Sequence, residues 1–216
     1  MRLGELLING AKEIGVLLSS EQVALFVEYL EKIRSWNKKI NITGINNEKE
    51  IVINHFLDSI TLFPFISEYS RVLDIGSGGG FPAIPIKIVK PSLEMVLIDS
   101  IQKKVFFMRD VIRSLGLKEI KAIWGRAEDI DNGIPRAYFD FVVTRAIGAI
   151  EKILDLGVSY LSDGGKIIFM RGKRGIEEWE KVERRYKRNF KLLNSKKVSL
   201  PYSRHERTIL VVSRGL

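Results

Sequence analysis

Residues 71–85, RVLDIGSGGGFPAIP, join an apolar run to a glycine-rich turn that leads into a helix. The run is apolar on both faces, which is typical of a strand buried inside a parallel sheet. Further runs of this kind follow, separated by helical patterns, at 94–99, 120–125, 139–146 and 164–172. Because such strands and helices alternate, and because their crossovers are right-handed, the sequence predicts a doubly wound α/β sheet.

The segment before this sheet has the spacing of helices. Ser19 and Gln22 form a capping box that starts one helix. A later helix is predicted over 48–63, where Pro64 ends it. We therefore expect residues 1–66 to be a helical extension that packs on the sheet rather than an independent unit.

The α/β domain is predicted to occupy residues 67–216, to the end of the chain. A charged helix at about 175–189 follows the fifth apolar run, and two β-like runs, 190–200 and 207–213, follow that helix. No repeat or low-complexity tract interrupts the domain.

Composition excludes several classes of protein. Of the 216 residues 45% are hydrophobic, which allows a sizeable core and excludes a disordered or fibrous chain. The absence of cysteine excludes disulfides, thiolate zinc sites and a cysteine nucleophile, and two histidines leave little material for a metal site. No stretch approaches the ~20 apolar residues of a membrane span, and the charged N-terminus does not resemble a signal peptide. We expect a cytoplasmic protein that binds neither membrane nor metal.

The excess of positive charge lies in one part of the chain. Residues 1–170 hold 21 basic and 21 acidic residues, whereas residues 171–216 hold 14 basic and 5 acidic residues, so the net +9 lies entirely in this basic region. A localised basic surface indicates a polyanion, nucleic acid before membrane. The alternative is a solvated helix face that keeps the protein soluble.

The glycine-rich turn predicts a ligand site. In open α/β sheets, ligands bind at the carboxyl ends of the strands beside the first strand, and Gly76 and Gly78 would let the backbone approach a ligand closely. Asp99 ends the second run, where its carboxylate can accept hydrogen bonds from ribose hydroxyls. Asp74 has a simpler alternative role, in which it caps the N–H groups of the turn.

The residues of the turn also discriminate between cofactors. A dinucleotide fingerprint has glycine where this chain has Phe81, and a bulky ring there would crowd a pyrophosphate. No Gly-Lys-Ser/Thr sequence ends the turn, which argues against a nucleoside-triphosphate loop. S-adenosylmethionine fits better, because it has an adenosine, an amino-acid end and no phosphates.

Several segments together resemble the bacterial small-subunit ribosomal RNA guanine-N7 methyltransferases, the family first called glucose-inhibited division protein B. They occur in the family's order over nearly the whole chain: WNKKINIT at 36–43, HFLDS at 55–59, VLDIGSGGGFPAIP at 72–85, GRAE at 125–128, TRA at 144–146, and LP at 200–201 with Arg207 before a β run. The Phe-Pro after the glycines, with Pro85 three residues on, is much more specific than the glycines alone. Gly79, Ala83 and Arg171 depart from the expected alanine, glycine and lysine.

The resemblance implies a class I methyltransferase sheet, Rossmann-like, with an antiparallel last strand. The family's cofactor-contacting positions are occupied here by Gly76, Phe81, Ala127, Glu128 and Arg145. The implied reaction moves a methyl group from S-adenosylmethionine to N7 of a guanosine in 16S ribosomal RNA. N7 has no proton to lose, so we expect no general base and name no catalytic residue. A simpler alternative for Glu128 is a carboxylate that interacts with a helix dipole.

Substrate contacts are expected from basic side chains. Arg145 could donate to guanine O6, stack on the base or position the cofactor, and Arg171 could contact RNA or form a structural ion pair. The RNA phosphates would bind basic residues of the last part of the chain, among them Arg184, Arg185, Arg188, Lys196 and Lys197.

The sequence leaves two points open. His55 and Asp58 lie on one helix face, where they either hydrogen-bond within the packing or border the active site. The rival functions are a class I methyltransferase with another RNA, a protein or a small molecule as substrate, a dinucleotide-dependent oxidoreductase, and a non-catalytic RNA-binding module. The expected partner is 16S ribosomal RNA or a small-subunit particle, bound by a monomer.

Overall fold

The computed structural model describes residues 2–129, 131–145 and 148–215. It contains seven strands, which in chain order are β1 Arg71–Ile75, β2 Glu94–Asp99, β3 Ile120–Trp124, β4 Phe139–Arg145, β5 Leu161–Arg171, β6 Phe190–Ser199 and β7 Glu206–Arg214. They form one sheet with the order β3-β2-β1-β4-β5-β7-β6.

The first five strands run parallel and the last one does not. β1 pairs in parallel with both β2 and β4, so the strand order reverses beside β1. β7 enters between β5 and β6 and is antiparallel to both. The predicted doubly wound sheet with an antiparallel last strand is therefore confirmed, and its functional edge, where the parallel strands end, lies at Ile75, Asp99, Trp124 and Arg145.

The helices cover both faces of this sheet. Their bounds are α1 Leu3–Glu13, α2 Ser20–Asn37, α3 Glu48–Ile51, a π-helix Val52–Leu57, α4 Asp58–Ile60, a 3₁₀ helix Phe63–Phe65, α5 Ala83–Val89, α6 Gln102–Ser114, α7 Ile150–Gly157 and α8 Gly175–Tyr186. The capping box at the start of α2 is present: Ser19 Oγ accepts from the Gln22 backbone N–H at 3.2 Å. No helix in the described part of the chain is long and apolar enough to cross a membrane.

Two apolar cores form, one on each face of the sheet. On one face, Phe26 and Ile33 of α2 pack in the same cluster as Val72 of β1. On the other, Ile153 of α7 and Trp179 of α8 share a cluster with the remaining sheet side chains. Alternate residues of each strand feed the two cores, which explains the apolar runs. The N-terminal helices share a core with the sheet, and the division at 66/67 stays a prediction.

The predicted continuous helix over 48–63 is wrong in detail. Its middle, Val52–Leu57, is a π-helix, and the helical segment ends at Ile60 before Pro64 is reached. The π-helix places Asn54, His55 and Asp58 against the end of β4. Periodicity of apolar residues does not distinguish such a segment from an α-helix.

Candidate functional site

The glycine-rich turn is tied to the end of the second strand. Gly76, Gly78 and Gly80 have positive φ angles of 71°, 58° and 87°, a conformation that side chains disfavour. The Gly78 N–H donates to Asp99 Oδ2 at 2.8 Å, and the Ile101 N–H donates to Asp99 Oδ1 at 2.8 Å. Asp99 therefore fixes the turn while each carboxylate oxygen keeps a lone pair for a ligand.

A cavity of about 450 Å³ lies at this edge of the sheet, and we call it the smaller cavity. Five of the seven residues predicted to bind cofactor line it: Gly76, Gly78, Asp99, Ala127 and Glu128. Ile98, Ile101, Ile153 and Leu156 add apolar surface to its wall. The cavity thus joins the turn after β1, the carboxylate after β2 and the turn after β3.

A buried tyrosine holds the turn after β3 in place. Tyr160 Oη donates to the Ala127 carbonyl at 2.6 Å and accepts from Asn132 Nδ2 at 2.7 Å. Glu128 pairs with Lys152 of α7 at 2.6 Å, and this contact lowers the pKa of Glu128. Residues 127 and 128 form a turn and not a helix N-terminus, so the helix-dipole alternative for Glu128 is wrong.

Phe81 lies outside the smaller cavity. Its ring is 4% exposed and stacks on His55 at a centroid distance of 4.4 Å and on Tyr29 at 5.5 Å. The Tyr29 hydroxyl donates to the Gly79 carbonyl, so these rings support the glycine turn from beneath. The assignment of Phe81 to the cofactor stays a prediction.

Arg145 lines a second, larger cavity of about 900 Å³. Its Nη1 donates to the Asn54 carbonyl and to Asp58 Oδ2, each at 3.2 Å. Asp58 is fully buried, and its other oxygen accepts from Arg207 Nε at 2.8 Å. Burial, partly opposed by Asp58, lowers the pKa of Arg145. One carboxylate therefore joins two guanidinium groups that come from β4 and β7.

His55 completes this cluster as a neutral ring. Burial and the neighbouring Arg145 lower the pKa of His55 to about 3. His55 Nδ1 lies 3.2 Å from Arg145 Nη2 and 3.1 Å from the Asn54 carbonyl oxygen. Its Nε2 lies 2.7 Å from Thr43 Oγ1. His55 is thus hydrogen-bonded within the packing and also lines the larger cavity, and its place at the border of an active site stays a prediction.

Asp74 is a buried carboxyl at the end of β1. Its two oxygens have no close hydrogen-bond partner in the described residues, and its role as a cap of the turn, through the neighbouring Ser77 and Ala83, stays a prediction. Burial raises the pKa of Asp74 to about 8, although Ser77, Ala83 and Arg145 oppose the shift. A cationic ligand group above the turn would stabilise its anionic form, which fits the ammonium of S-adenosylmethionine.

Arg171 forms an ion pair beside the larger cavity. Its Nη2 lies 2.6 Å from Glu178 Oε2, its Nε donates to the same oxygen at 2.7 Å, and its Nη1 donates to the Gly148 carbonyl at 3.0 Å. The structural alternative for Arg171 is thus present, and a contact with RNA stays a prediction. Ala146 of the quoted TRA segment lies outside the described residues.

The remaining predicted RNA contacts are exposed but are not brought together. Lys196 and Lys197 lie on β6, in register with Ile209 and Thr208 of β7. The same two β7 residues pair with the end of β5, so both lysines lie near the functional edge. In contrast, α8 runs away from that edge and carries Arg184 and Arg185 to the opposite end, with Arg188 beyond its last turn.

Sequence patterns did not identify four residues of the site: Tyr29, Asn54, Asp74 as an unpartnered carboxyl, and Arg207 as a partner of Asp58. Asp58 and Arg207 are 149 positions apart, so no local spacing links them. The one available signal was the occurrence of both within the segments that resembled a known family.

Comparisons with known proteins bear on the family. A family model described as rRNA small subunit methyltransferase G matches residues 22–209. The ribosomal RNA small subunit methyltransferase G of Thermoanaerobacter sp. (strain X514) is 40% identical over 203 residues, 92% of this chain and 85% of the relative. The protein of that name from Geobacter metallireducens is 40% identical over 176 residues, 82% of this chain and 80% of the relative.

A solved structure supports the fold. A SAM-dependent methyltransferase from Aquifex aeolicus has a TM-score of 0.61 at 18% identity and covers 79% of this chain and 96% of its own. That likeness concerns the fold alone, and it agrees with the sheet described above. The family follows from the matched residues and the identities: the chain belongs to the rRNA small subunit methyltransferase G family.

Proposed function

We propose that this protein transfers a methyl group from S-adenosylmethionine to N7 of a guanosine in small-subunit ribosomal RNA. The observation that carries the proposal is the smaller cavity, where the glycine turn, Asp99 and the Ala127 turn meet, in a chain of this family. The larger, arginine-lined cavity lies beside it and offers a place for the nucleotide. Because ribosomal RNA is the proposed substrate, we infer that the protein acts in the cytoplasm. We further infer that it acts as a monomer.

The residues of the smaller cavity match the parts of S-adenosylmethionine. Asp99 would accept hydrogen bonds from the ribose hydroxyls through the lone pairs that Gly78 and Ile101 leave free. The backbone at Ala127 and the side chain of Glu128 would hold the adenine edge. Gly76 and Gly78 would let the amino-acid end approach the backbone, above the buried Asp74.

The chemistry asks little of the side chains beyond positioning. When bound, S-adenosylmethionine would supply a methyl group on a sulfonium, and sulfur would keep the electron pair of the broken sulfur–carbon bond as N7 takes up the methyl group. Guanine N7 carries a lone pair and no proton, so no residue has to act as a base. Both ring nitrogens of His55 are already engaged, Nδ1 with Arg145 and the Asn54 carbonyl and Nε2 with Thr43. Catalysis would come from holding N7 in line with the methyl group, a proximity effect worth several kcal/mol.

The test is to map N7-methylguanosine in ribosomal RNA from cells with and without this protein, and in purified undermethylated small-subunit RNA incubated with it. We expect one guanosine of the small-subunit RNA to depend on the protein. Labelled methyl groups found on protein instead of RNA would favour the rival substrate class. Binding of NAD without binding of S-adenosylmethionine would favour an oxidoreductase.

Two variants separate catalysis from RNA binding. Asp99→Asn removes the carboxylate that joins the turn to the ribose position, so we expect loss of cofactor binding and methylation with RNA affinity retained. Asp129→Asn changes an exposed carboxylate after the Ala127 turn and should leave both unchanged. Full methylation by Asp99→Asn would contradict the assignment of the smaller cavity.

A further inference from the structure

The cluster of Asp58, Arg145 and Arg207 carries an unbalanced charge. Each carboxylate oxygen of Asp58 accepts from one guanidinium, at 3.2 Å from Arg145 and 2.8 Å from Arg207. The adjoining His55 adds no negative charge, because an imidazole ring is either neutral or cationic. One carboxylate therefore faces two guanidinium groups, and one positive charge remains.

The two arginines are the members of the cluster that face the larger cavity. The Asp58 side chain is fully buried, whereas those of Arg145 and Arg207 are 17% and 25% exposed and both line the larger cavity. Of the other cations of the wall, Arg171 pairs with Glu178 and Lys173 pairs with Glu206, whereas Arg204 has no ion pair within the described residues. The cluster thus presents its uncompensated charge to the cavity.

Arg207 also has N–H groups that are available to a ligand. Its Nε is used by Asp58, and within the described residues its two Nη groups have no hydrogen-bond partner. A guanidinium whose stem is held in this way presents a planar pair of N–H groups, the geometry that binds two oxygens of a phosphate. A free lysine at this position would offer the charge without the fork.

We propose that Asp58 is a positioning residue that holds Arg145 and Arg207 as a two-guanidinium site for one phosphodiester group of the RNA. The inference rests on the proposed function, because it takes the larger cavity as the place of the substrate. Asp58 contacts no ligand itself and acts by fixing the spacing of the two cations. Arg207 supplies the direct hydrogen bonds, and Arg145 supplies the second charge.

The chain offers a matched control at the opposite edge of the sheet. Arg71, at the start of β1, pairs with Asp140 through the same kind of contact, with Nη2 2.7 Å from Oδ1 and Nε 3.1 Å from Oδ2. This pair lies far from both cavities, because β1 runs from Arg71 toward the functional edge. Arg71→Gln and Asp140→Asn therefore break an equivalent ion pair without touching the proposed phosphate site.

The experiment measures the affinity of each variant for small-subunit ribosomal RNA over a range of KCl concentrations. The RNA is used in the form that the wild-type protein methylates. For Arg207→Gln we expect affinity to fall roughly 10- to 100-fold, since charge-assisted hydrogen bonds are lost. The slope of log K against log salt should become less steep by about 1. Arg207→Lys should lie between this variant and the wild type, and Arg71→Gln should match the wild type.

Asp58→Asn distinguishes positioning from net charge. The variant removes a negative charge, so a purely electrostatic effect predicts tighter RNA binding, whereas loss of positioning predicts weaker binding and a higher KM for RNA. Tighter or equal binding by a folded Asp58→Asn variant would overturn the proposal. So would an Arg207→Gln variant that binds like Arg71→Gln, a test that stands if Asp58→Asn fails to fold. Failure of the proposed function is recognised separately, because the wild-type protein would then methylate no RNA.

Discussion

Asp74 and His55 make opposite contributions to stability as the pH changes. The folded chain holds the Asp74 proton up to a pKa of about 8, against an ordinary value of 3.8. The contribution of Asp74 to the free energy of unfolding is therefore fully present below pH 3.8 and is lost as the pH rises through about 8. The His55 pKa is lowered from 6.5 to about 3, so its contribution is present above pH 6.5 and is lost as the pH falls through about 3.

Replacing Asp74 by asparagine isolates the contribution of Asp74 to the pH dependence of stability. Asp74→Asn keeps the volume and removes the titration, so the variant should lose less stability than the wild type between about pH 5 and about pH 8. The difference in the free energy of unfolding should grow by at most about 1.4 kcal/mol per pH unit in this window. Urea unfolding at stepped pH measures it, and the His55 contribution cancels because both proteins contain it. Parallel stability curves for the two proteins would show that folded Asp74 holds no extra proton.

At the scale of elements, α2 braces the glycine turn and the helix that follows it. Gln22 Nε2 donates to the Ile88 carbonyl near the end of α5 at 3.1 Å, and the Tyr29 hydroxyl donates to the Gly79 carbonyl in the turn. A Cβ on Gly80 would lie 2.8 Å from the Tyr29 oxygen, so the two elements are in close contact. The helical extension therefore supports the proposed cofactor site directly.

Tyr29→Phe tests this support with almost no change in volume. Loss of the buried hydrogen bond should lower the free energy of unfolding by about 1–2 kcal/mol and weaken S-adenosylmethionine binding several-fold, because the turn is then less constrained. Tyr69→Phe, at a residue that is 84% exposed, should change the free energy of unfolding by less than about 0.5 kcal/mol. Denaturant unfolding and calorimetric titration measure the two effects. Equal results for both variants would argue against a bracing role for α2.

The elements also show how far sequence patterns reach. The strand runs and the Ser19 capping box were predictable because hydrophobic alternation and capping are local properties of the chain. The π-helix Val52–Leu57 was not, because its Asn54 carbonyl accepts from Arg145, a residue 91 positions away. The smaller cavity was largely predictable, since strand ends in a parallel sheet meet at one edge. The Asp58 cluster depends on how β7 enters the sheet, and no local pattern encodes that.

At the scale of the molecule, the fold divides the basic region of residues 171–216. Lys197 of β6 pairs with Thr208 of β7, which in turn pairs with Arg171 at the end of β5. Lys197 therefore lies two strands, or about 10 Å, from the end of β5 at the functional edge. The helix α8 starts at Gly175 and carries Arg184 and Arg185 about 14–15 Å along its axis, toward the opposite end of the sheet. The sequence grouped these residues, and the structure places them at two ends of the sheet.

This separation makes the length of the RNA the deciding variable. Lys196→Glu with Lys197→Glu should weaken binding of both a short hairpin that contains the methylated guanosine and the full small-subunit RNA. Arg184→Glu with Arg185→Glu should weaken binding of the full RNA alone, because only a large substrate reaches from the larger cavity to the end of α8. In each affected case the salt slope should become less steep by about 1 per lost phosphate contact. S-adenosylmethionine affinity should stay unchanged throughout, since none of the four residues lines the smaller cavity. Equal losses by both pairs on the short hairpin would mean that the charge acts as a diffuse field, and the division of the basic region would then have no functional meaning.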